Sequence, residues 1–398
     1  MAGSGRAPAE IDWYYDPLPG AAFARELHEL RARGPVVPVR ALDGALPVFY
    51  IVGYRALDRA FKDGERFPPG LAYQIISKPF IGNTFMSMDE AEHRVWRTPM
   101  TPQFRKRAID ELDDRELTPL AHELIDRIES EGAADLVTSF TRRFPFAAIC
   151  RQLGLGRENE EAFYDWSMDL MFGGRDLEAS RRADAKLCAA VLPVIAERRR
   201  DPSFEDVIGE WSRTEVAGRP ITDEEMLAHV RLFFTAGATT TSDALGNLVH
   251  ALLTHPAAWE ACVDDPARAG DAVDELLRWN PPVAAQPRFS SPGDEIEFEG
   301  LRIPARSAVL FGISAANRDP EIFEDPDRFD LERRPQELLT FGPGLRTCPG
   351  MHFARRNLCL ALQVLTERLP KLRIRDQEVS DPRGILLRGP TTLPVVWR

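Results

Sequence analysis

Residues 341–350 read Phe-Gly-Pro-Gly-Leu-Arg-Thr-Cys-Pro-Gly, and this loop carries the strongest signal in the sequence. It holds one cysteine, Cys348, among too many glycines and prolines for a helix or a strand. A segment with helical periodicity, 351–369, follows at once. A thiol at the N-terminus of a helix meets free backbone N–H groups and the positive end of the helix dipole, which favour its thiolate form. The loop therefore predicts a thiolate that can bind a metal such as iron.

The order of residues in this loop, Phe-Gly-x-Gly-x-Arg-x-Cys-x-Gly, resembles the cysteine loop of the cytochromes P450. The resemblance implies that Cys348 binds the iron of haem from one side and pushes electron density toward bound dioxygen. It also implies that Phe341, Gly342, Arg346 and Gly350 contribute to cofactor binding. The competing interpretation is a buried structural cysteine beside an ordinary glycine turn, and further motifs of the same family elsewhere in the chain argue against it.

Composition excludes several classes of function. The chain of 398 residues has 50 basic and 62 acidic side chains and a net charge of −12, which argues against a general nucleic-acid-binding role. Its five cysteines show no zinc-ligand spacing, and their odd number argues against a disulfide framework. The first twenty residues lack the apolar core of a signal peptide, and no apolar run is long enough for a membrane helix. We therefore expect a cytoplasmic enzyme without a membrane partner, with residues 1–398 forming a single domain.

Hydrophobic periodicity predicts a mostly helical chain with small sheets. Helices are expected at 21–33, at 54–63 and through most of 89–280, whereas 66–88 is expected to be irregular. Alternating patterns predict strands within 36–53, 286–312 and 371–398, with a hairpin at EIEFEGLRIP. This mainly α architecture with small β-sheets matches the cytochrome P450 fold that the resemblance implies. In that fold the haem lies between the long oxygen-activating helix and the helix after the cysteine loop.

A second motif, Glu275-Leu276-Leu277-Arg278, matches the Glu-x-x-Arg helix of the cytochromes P450. The spacing of three residues places both charges on one helix face, where they can pair. Such pairs are common in helices, so this motif alone is a weak signal. Arg333 matches the third member of the same ion network. The resemblance implies a structural role for all three, namely fixing the core beneath the cysteine loop.

Candidate partners for the two propionates of haem b (iron protoporphyrin IX) come from four places in the sequence. His93 and Arg97 are four residues apart and share one helix face. Arg288 and Arg346 match two further propionate positions of the family, and Arg346 stands where many bacterial members carry histidine. Each of these residues taken singly is also compatible with a solvated surface charge.

The oxygen-activating segment is expected in the apolar helix over 232–243, which contains Ala236-Gly237-Ala238-Thr239-Thr240-Thr241. Gly237 removes a side chain where the helix must approach the cofactor. Threonine hydroxyls can bond back to the preceding turn and open the helix locally, which gives a groove for dioxygen and water. By the resemblance, Thr240 is the alcohol that helps deliver protons to oxygen.

Thr239 departs from the family, because Asp or Glu is usual at this position. Without that carboxylate, protons must come through Thr239, Thr240, water or another acid. Asp243 lies one turn beyond Thr239 on the same helix face. Proton delivery by Asp243 and a plain structural role for it are both open.

Pro349 is a second departure, because it follows Cys348 directly and has no N–H group. In the family, the sulfur usually accepts hydrogen bonds from backbone N–H groups just after it, and one such bond is impossible here. A thiolate with fewer hydrogen bonds donates more electron density, so the reduction potential of the iron is expected to be low.

Electrons must come from outside the chain, because the sequence has no dinucleotide-binding motif, no flavin domain and no iron–sulfur cysteine set. We expect a ferredoxin and its ferredoxin reductase as partners, and a monomeric enzyme. A local group of basic residues around the thiolate is a candidate docking surface for an acidic ferredoxin, although its 105–107 run alone reads better as solvated charge. The group consists of Arg94, Arg105, Lys106, Arg107, Arg346, Arg355 and Arg356.

Apolar residues from several segments are candidates for the substrate pocket by the same resemblance. They are Leu71, Ile75, Ile76, Phe80, Ile81, Phe233, Ala236, Val283, Ala284, Ala285, Leu386 and Leu387. Their character predicts a small to medium apolar or aromatic organic substrate.

The leading expectation is a haem-thiolate monooxygenase that inserts one atom of dioxygen into such a substrate. One alternative is the same haem site with different chemistry, either nitric oxide reduction or peroxide-driven oxidation, which the missing acid at Thr239 motivates. The other is a non-catalytic haem protein that senses gas or sequesters a ligand. Gly237 and Thr240 argue against simple binding, because binding alone does not need them.

Overall fold

The computed structural model describes residues 17–41, 46–174, 176–344, 346–376 and 380–398. The amino-terminal residues in which no signal peptide is expected lie largely outside the described residues, and so does Leu345 of the cysteine loop.

The chain divides into two compact units, each assembled from three segments. Unit 1 takes its described residues from Met1–Pro69, Gly246–Cys348 and Arg373–Pro394. Unit 2 takes its described residues from Gly70–Leu245, Pro349–Leu372 and Val395–Arg398. The expectation of a single domain over residues 1–398 stays a prediction.

Unit 1 combines a four-stranded sheet with several helices. Its helices are α1 (Gly20–Ala32), α2 (Tyr54–Lys62), α14 (Pro256–Asp264), α15 (Ala269–Trp279) and α16 (Ile313–Ala316). Its strands are β1 (Val36–Ala41), β2 (Leu46–Ile51), β6 (Gln286–Phe289), β7 (Ile296–Phe298), β8 (Leu301–Ile303), β9 (Ala308–Phe311) and β10 (Arg373–Ile374).

The four-stranded sheet has the order β1-β2-β9-β6. Strands β1 and β2 form an antiparallel pair, β2 and β9 are parallel, and β6 returns antiparallel to β9. Side chains alternate between the two faces of the sheet, so that Val309 packs with α2 and its neighbour Leu310 packs with α1. Strands β7 and β8 form the hairpin expected at EIEFEGLRIP.

Unit 2 is mainly helical. Its helices are α3 (Pro69–Ile76), α4 (Lys78–Ile81), α5 (Glu90–Met100), α6 (Lys106–Leu112), α7 (Thr118–Asp126), α8 (Arg143–Leu153), α9 (Glu160–Met171), α10 (Leu177–Arg200), α11 (Val207–Arg213), α12 (Asp223–Leu232) and α17 (Met351–Arg368). Helix α13 (Thr239–Thr254) begins in unit 2 and ends in unit 1. The short strands are β3 (Ala133–Asp135), β4 (Glu215–Val216), β5 (Arg219–Pro220) and β11 (Pro394–Val396).

The observed elements confirm a mainly α chain with small sheets, and most expected boundaries agree within about two residues. The expectation of an irregular segment at 66–88 is wrong, because α3 and α4 lie within it. Both helices are too short to show a clear helical period, and Ile75 leaves 52% of its surface exposed, so apolar residues there do not mark one buried face. In the described part of the chain, every helix is too short or too polar to cross a membrane.

Candidate active site

Backbone hydrogen bonds close the cysteine loop near the end of the second segment of unit 1. The backbone N–H of Cys348 donates to the carbonyl of Phe341 at 2.8 Å, and the N–H of Gly342 donates to Leu339 at 3.0 Å. Gly342 and Gly344 have φ of +65° and +97°, a region that disfavours other residues. The loop leaves Cys348 exposed, and α17 begins three residues later at Met351. The thiol is therefore accessible to a ligand.

The Glu-x-x-Arg pair lies buried in α15. The Glu275 and Arg278 side chains have no exposed surface, and two N–H···O bonds of 2.8 and 2.7 Å join them. Arg333 donates from Nε to the same Oε1 of Glu275 at 3.3 Å, and the N–H of Asp330 donates to it at 2.9 Å. The one carboxylate thus neutralises two guanidinium groups, one of them entirely away from water.

Asn317 connects this network to the start of the cysteine loop. Its carbonyl accepts from Arg278 at 3.1 Å, and its side-chain amide donates to Oγ1 of Thr340 at 2.8 Å. The Thr340 hydroxyl in turn donates to the carbonyl of Leu277 at 2.6 Å. Because Thr340 directly precedes the loop, the ion network holds the point from which the loop departs.

The predicted propionate partners are buried or half-buried side chains. In unit 1, Arg288 on β6 is only 5% exposed, with its guanidinium 5.4 Å from the ring centroid of Phe311, and Arg346 is half-buried in the cysteine loop. In unit 2, α5 carries His93, which is 1% exposed, and Arg97, which is half-buried. A buried guanidinium group such as that of Arg288 needs an anionic or polar partner.

A π-helix, Phe233–Ala238, lies between α12 and α13 where the oxygen-activating segment is expected. Such turns widen the helix and recur at functional sites. Ala236 is exposed and Gly237 is partly exposed, although Thr235 and Ala238 beside them are buried. A Cβ atom placed on Gly237 would meet no described atom within 4 Å. This face of the helix therefore offers a smooth surface that a flat ligand can approach.

Side-chain hydroxyls bond back to carbonyls all along this segment. Thr240 Oγ1 donates to the carbonyl of Ala236 at 2.8 Å, and Thr239 Oγ1 donates to the carbonyl of Thr235. Thr241 and Ser242 repeat the pattern one and two residues later. Bonds of this kind compete with the helix ladder, which accounts for the widened turn.

Asp243 follows on α13 with its side chain half-buried. Burial raises the pKa of its carboxyl group to about 7, and the positive charge of Arg142 opposes that rise. Arg142 precedes α8, and its guanidinium lies 4.6 Å from the ring centroid of Tyr164 on α9. Burial also raises the pKa of Tyr164, with the Asp243 charge as a smaller cause. Sequence reasoning missed Arg142 and Tyr164, because nothing in their spacing relates them to 243.

The predicted pocket residues fall in different environments. In unit 1, the N–H groups of Ala284 and Ala285 lie 2.9 and 3.3 Å from the carbonyl oxygen of Leu386, and Val283 pairs with Leu387. The structure thus brings these five residues together. Both alanines are buried in the core beside the sheet, whereas the other three keep some exposed surface.

In unit 2, Ile81 is buried, while Leu71, Ile76 and Phe80 are half-buried and Ile75 is exposed. Phe233 is only 7% exposed.

Phe233 belongs to an aromatic cluster that also contains a histidine missed by sequence reasoning. Its ring centroid lies 4.6 Å from that of Phe104 and 5.5 Å from that of Trp211. His229 is fully buried beside them, and its Nε2 accepts from the N–H of Phe85 at 3.3 Å while Nδ1 lies 2.7 Å from the carbonyl oxygen of Glu225. Burial lowers the His229 pKa to about 4, so the ring is neutral and joins α12 to the segment before α5.

The positive charge of the predicted basic group is partly neutralised by neighbouring carboxylates. Arg94 pairs with Glu90 at 3.2 Å and Lys106 pairs with Asp110 at 2.8 Å, both on their own helices. Arg105 is exposed, and among the described residues it forms no ion pair. The expected field at this surface is therefore smaller than the number of cationic residues alone would predict.

Comparison with known proteins identifies the family. A model described as Cytochrome P450 matches residues 270–390. Mycinamicin IV hydroxylase/epoxidase of Micromonospora griseorubida is 30% identical over 391 residues, which cover 96% of this chain and 98% of that protein. The chain belongs to the cytochrome P450 family. Erythromycin C-12 hydroxylase of Saccharopolyspora erythraea is 33% identical over 78% of this chain and 79% of its own length.

The fold of this cytochrome P450 agrees with that identification. The solved structure of cytochrome P450 CYP109Q5 from Chondromyces apiculatus matches it with a TM-score of 0.86 and 28% identity, covering 98% of each chain. The protein is thus an oxidoreductase of the monooxygenase type with a haem-iron cofactor.

Each unit, taken by itself, contains groups that suit that cofactor. Unit 1 offers the exposed Cys348 thiol, which is a suitable iron ligand, and the two half-buried or buried guanidinium groups of Arg288 and Arg346. Unit 2 offers His93, Arg97 and the open helix face at Gly237. An iron porphyrin with two carboxylates requires a thiolate for the iron, cations for the carboxylates and a surface without bulky side chains for the ring.

Proposed function

We propose that this enzyme is a haem b monooxygenase in which Cys348 is the iron ligand. The exposed thiol on its self-closing loop is the observation that carries the proposal. His93, Arg97, Arg288 and Arg346 are proposed to bind the propionates. The bound haem supplies the redox chemistry that activates dioxygen, and the overall reaction consumes dioxygen, two electrons and two protons for each hydroxylated product and water.

The chain's own residues orient the reactants and control water and protons. Ala236 and Gly237 keep the helix face free of bulky side chains, so that dioxygen and substrate can approach together. The Thr240 hydroxyl donates to Ala236, and its oxygen therefore remains able to accept a hydrogen bond from a proton-carrying water. The rings of Phe104 and Trp211 pack against Phe233 at the start of this segment.

The substrate is proposed to be an apolar organic molecule, with macrolide-like polyketides as the first class to test. Two relatives are named as hydroxylases of mycinamicin IV and of erythromycin, the first matched over 98% of its length and the second over 79%. The partly exposed apolar groups at Val283, Leu386 and Leu387 are consistent with an apolar ligand. Spectral titration of the ferric protein with macrolactones and with small aromatic compounds separates this class from the smaller substrates.

The test of the haem-thiolate assignment uses the ferrous–CO spectrum of the wild type, Cys348→Ser and Cys359→Ser. Cys359 is a half-buried cysteine on α17 and serves as the matched control. We expect the Soret maximum typical of sulfur-ligated haem in the wild type and in Cys359→Ser, and its loss in Cys348→Ser. An unchanged spectrum in Cys348→Ser refutes the assignment.

A ferredoxin with its reductase is proposed as the electron source, with Arg105 contributing to docking because it is exposed and has no ion pair among the described residues. Charge reversal by Arg105→Glu is expected to lower ferredoxin-supported turnover most at low salt, since exposed charges are screened at high salt. Arg182→Glu is the control, because Arg182 is an exposed arginine paired with Glu178 on α10. Equal turnover for the two variants at low salt counts against docking at Arg105.

A further inference from the structure

The hydroxyl groups of Thr239 and Thr240 do not themselves hold free protons to deliver. Both hydroxyl hydrogens are committed to carbonyl oxygens of the preceding turn, those of Thr235 and Ala236. A hydroxyl in this arrangement can accept a proton and pass one on, but its resting hydrogen bond does not point toward a reactant. A group that ionises near neutral pH is well suited to supply the two protons consumed per turnover.

Asp243 is the acid that the fold places next to these hydroxyls. It lies three residues after Thr240 and four after Thr239 on α13, so the three side chains share one helix face. Asp243 as a residue is half-buried. Within the described chain, no hydrogen bond or ion pair ties the Asp243 carboxyl group to a fixed partner.

Helices α8 and α9 pack against the π-helix that precedes α13, and they bring charged and titratable groups that act on Asp243. Arg142, at the start of α8, favours the carboxylate, and Tyr164, on α9, has a phenol whose pKa is raised and which stays neutral at pH 7. Arg142 also lies over the Tyr164 ring, 4.6 Å from its centroid. Burial favours the protonated form of the Asp243 carboxyl group, whereas the positive charge of Arg142 favours the ionised form. With these opposing effects, the group can release and recover a proton near pH 7.

We propose that Asp243, set by Arg142, is the acid that supplies protons to the Thr239–Thr240 segment in place of the carboxylate missing at 239. This inference rests on the proposed monooxygenase function. In each step the O–H bond of Asp243 breaks and its proton passes to a water or hydroxyl next to Thr240. The Asp243 carboxylate, stabilised by Arg142, then takes a proton from solvent, so the group returns to its starting state without any change in oxidation.

The test compares Asp243→Asn with Asp169→Asn, which makes the same chemical change at an exposed position on α9. Turnover driven by a ferredoxin, a reductase and NADH is expected to fall roughly 100-fold in Asp243→Asn, with a larger solvent deuterium isotope effect. Turnover driven by hydrogen peroxide, which brings its own protons, is expected to stay within about twofold of the wild type. Asp169→Asn is expected to match the wild type in both reactions.

A readout independent of turnover is infrared titration of the ferric protein. The wild type is expected to show a protonated carboxyl band that disappears as the pH rises through about 7, and Asp243→Asn is expected to lack this band. Arg142→Gln is expected to move the midpoint of the band to higher pH, because a favourable cation is lost.

The outcomes separate the possible failures. Equal loss of reductase-driven and peroxide-driven turnover in Asp243→Asn, or no loss of either, overturns the proton-supply role. If Asp243→Asn does not fold, the infrared titration of Arg142→Gln is the test instead. A carboxyl band with the same midpoint pH in this variant as in the wild type overturns the proposal. If the wild-type ferrous–CO complex lacks the spectrum of sulfur-ligated haem, the proposed monooxygenase function is refuted instead. This result differs from the outcomes that refute the role of Asp243 alone.

Discussion

Replacing Glu275 by glutamine is expected to cost this protein more stability than any comparable change of a surface carboxylate. The substitution keeps the size of the side chain and removes its charge. Arg278 then keeps its guanidinium charge with no exposed surface, and it loses the buried carboxylate that pairs with it. Arg333, whose Nε donates to the same oxygen at 3.3 Å, loses its carboxylate partner as well.

The magnitude follows from burial. Breaking a buried ion pair by removing one partner costs about 3–5 kcal/mol. Arg278 keeps three carbonyl acceptors, those of Asn317, Pro326 and Arg328 at 3.1, 2.8 and 3.1 Å. These bonds compensate part of the loss, so we expect a value near the lower end, about 3 kcal/mol.

The assay is urea unfolding of the holoprotein followed by far-ultraviolet circular dichroism. A loss of about 3 kcal/mol lowers the urea midpoint by roughly 1 M for an m-value of about 3 kcal/mol/M. Glu332→Gln is the matched control, because Glu332 pairs with Arg268 while 69% of its side chain is exposed, and we expect less than about 1 kcal/mol there. If the two variants unfold at the same urea concentration, the argument from burial is refuted.

Three further predictions concern pH and redox behaviour. The pKa of Asp243 is raised from 3.8 to about 7 in the folded protein. The free energy of unfolding of the wild type is therefore expected to fall by up to about 4 kcal/mol relative to that of Asp243→Asn as the pH rises from 4 to 8. Urea midpoints of the two proteins that shift in parallel with pH contradict this prediction. The pKa of His229 is lowered from 6.5 to about 4, so acidification from pH 6.5 to 4 is expected to destabilise the wild type by up to about 3 kcal/mol relative to His229→Gln, and an equal acid sensitivity of the two proteins speaks against it. Pro349→Leu restores an N–H group beside the Cys348 thiolate and is expected to raise the haem reduction potential in a spectroelectrochemical titration, whereas an unchanged or lower potential rejects the explanation.

Local sequence predicted much of this fold because the relevant signals are short. The alternating residues of β1, β2 and the β7–β8 hairpin and the long periodic run of α17 each lie within one window of the chain. The Glu275–Arg278 pair was also predictable, since both partners lie one turn apart on the same helix. By contrast, α3 and α4 are so short that no helical period develops.

The environment of the candidate site was less accessible to sequence reasoning, because it depends on contacts between distant segments. Arg142 and Tyr164 act on Asp243 from 101 and 79 residues earlier in the chain. His229 reaches Phe85 across a separation of 144 residues. Local spacing cannot show which distant side chains share a site.

The arrangement of unit 1 also has a consequence for how the protein is made. The parallel pairing of β2 with β9 joins residues 48–51 to residues 308–311, so more than 250 residues must leave the ribosome before this sheet can close. The segment Gly70–Leu245 is translated as one uninterrupted block and can begin to condense much earlier. Until β9 has been synthesised, the edge of β2 that later pairs with β9 stays unpaired. Newly synthesised chains are therefore more prone to aggregation than the folded enzyme.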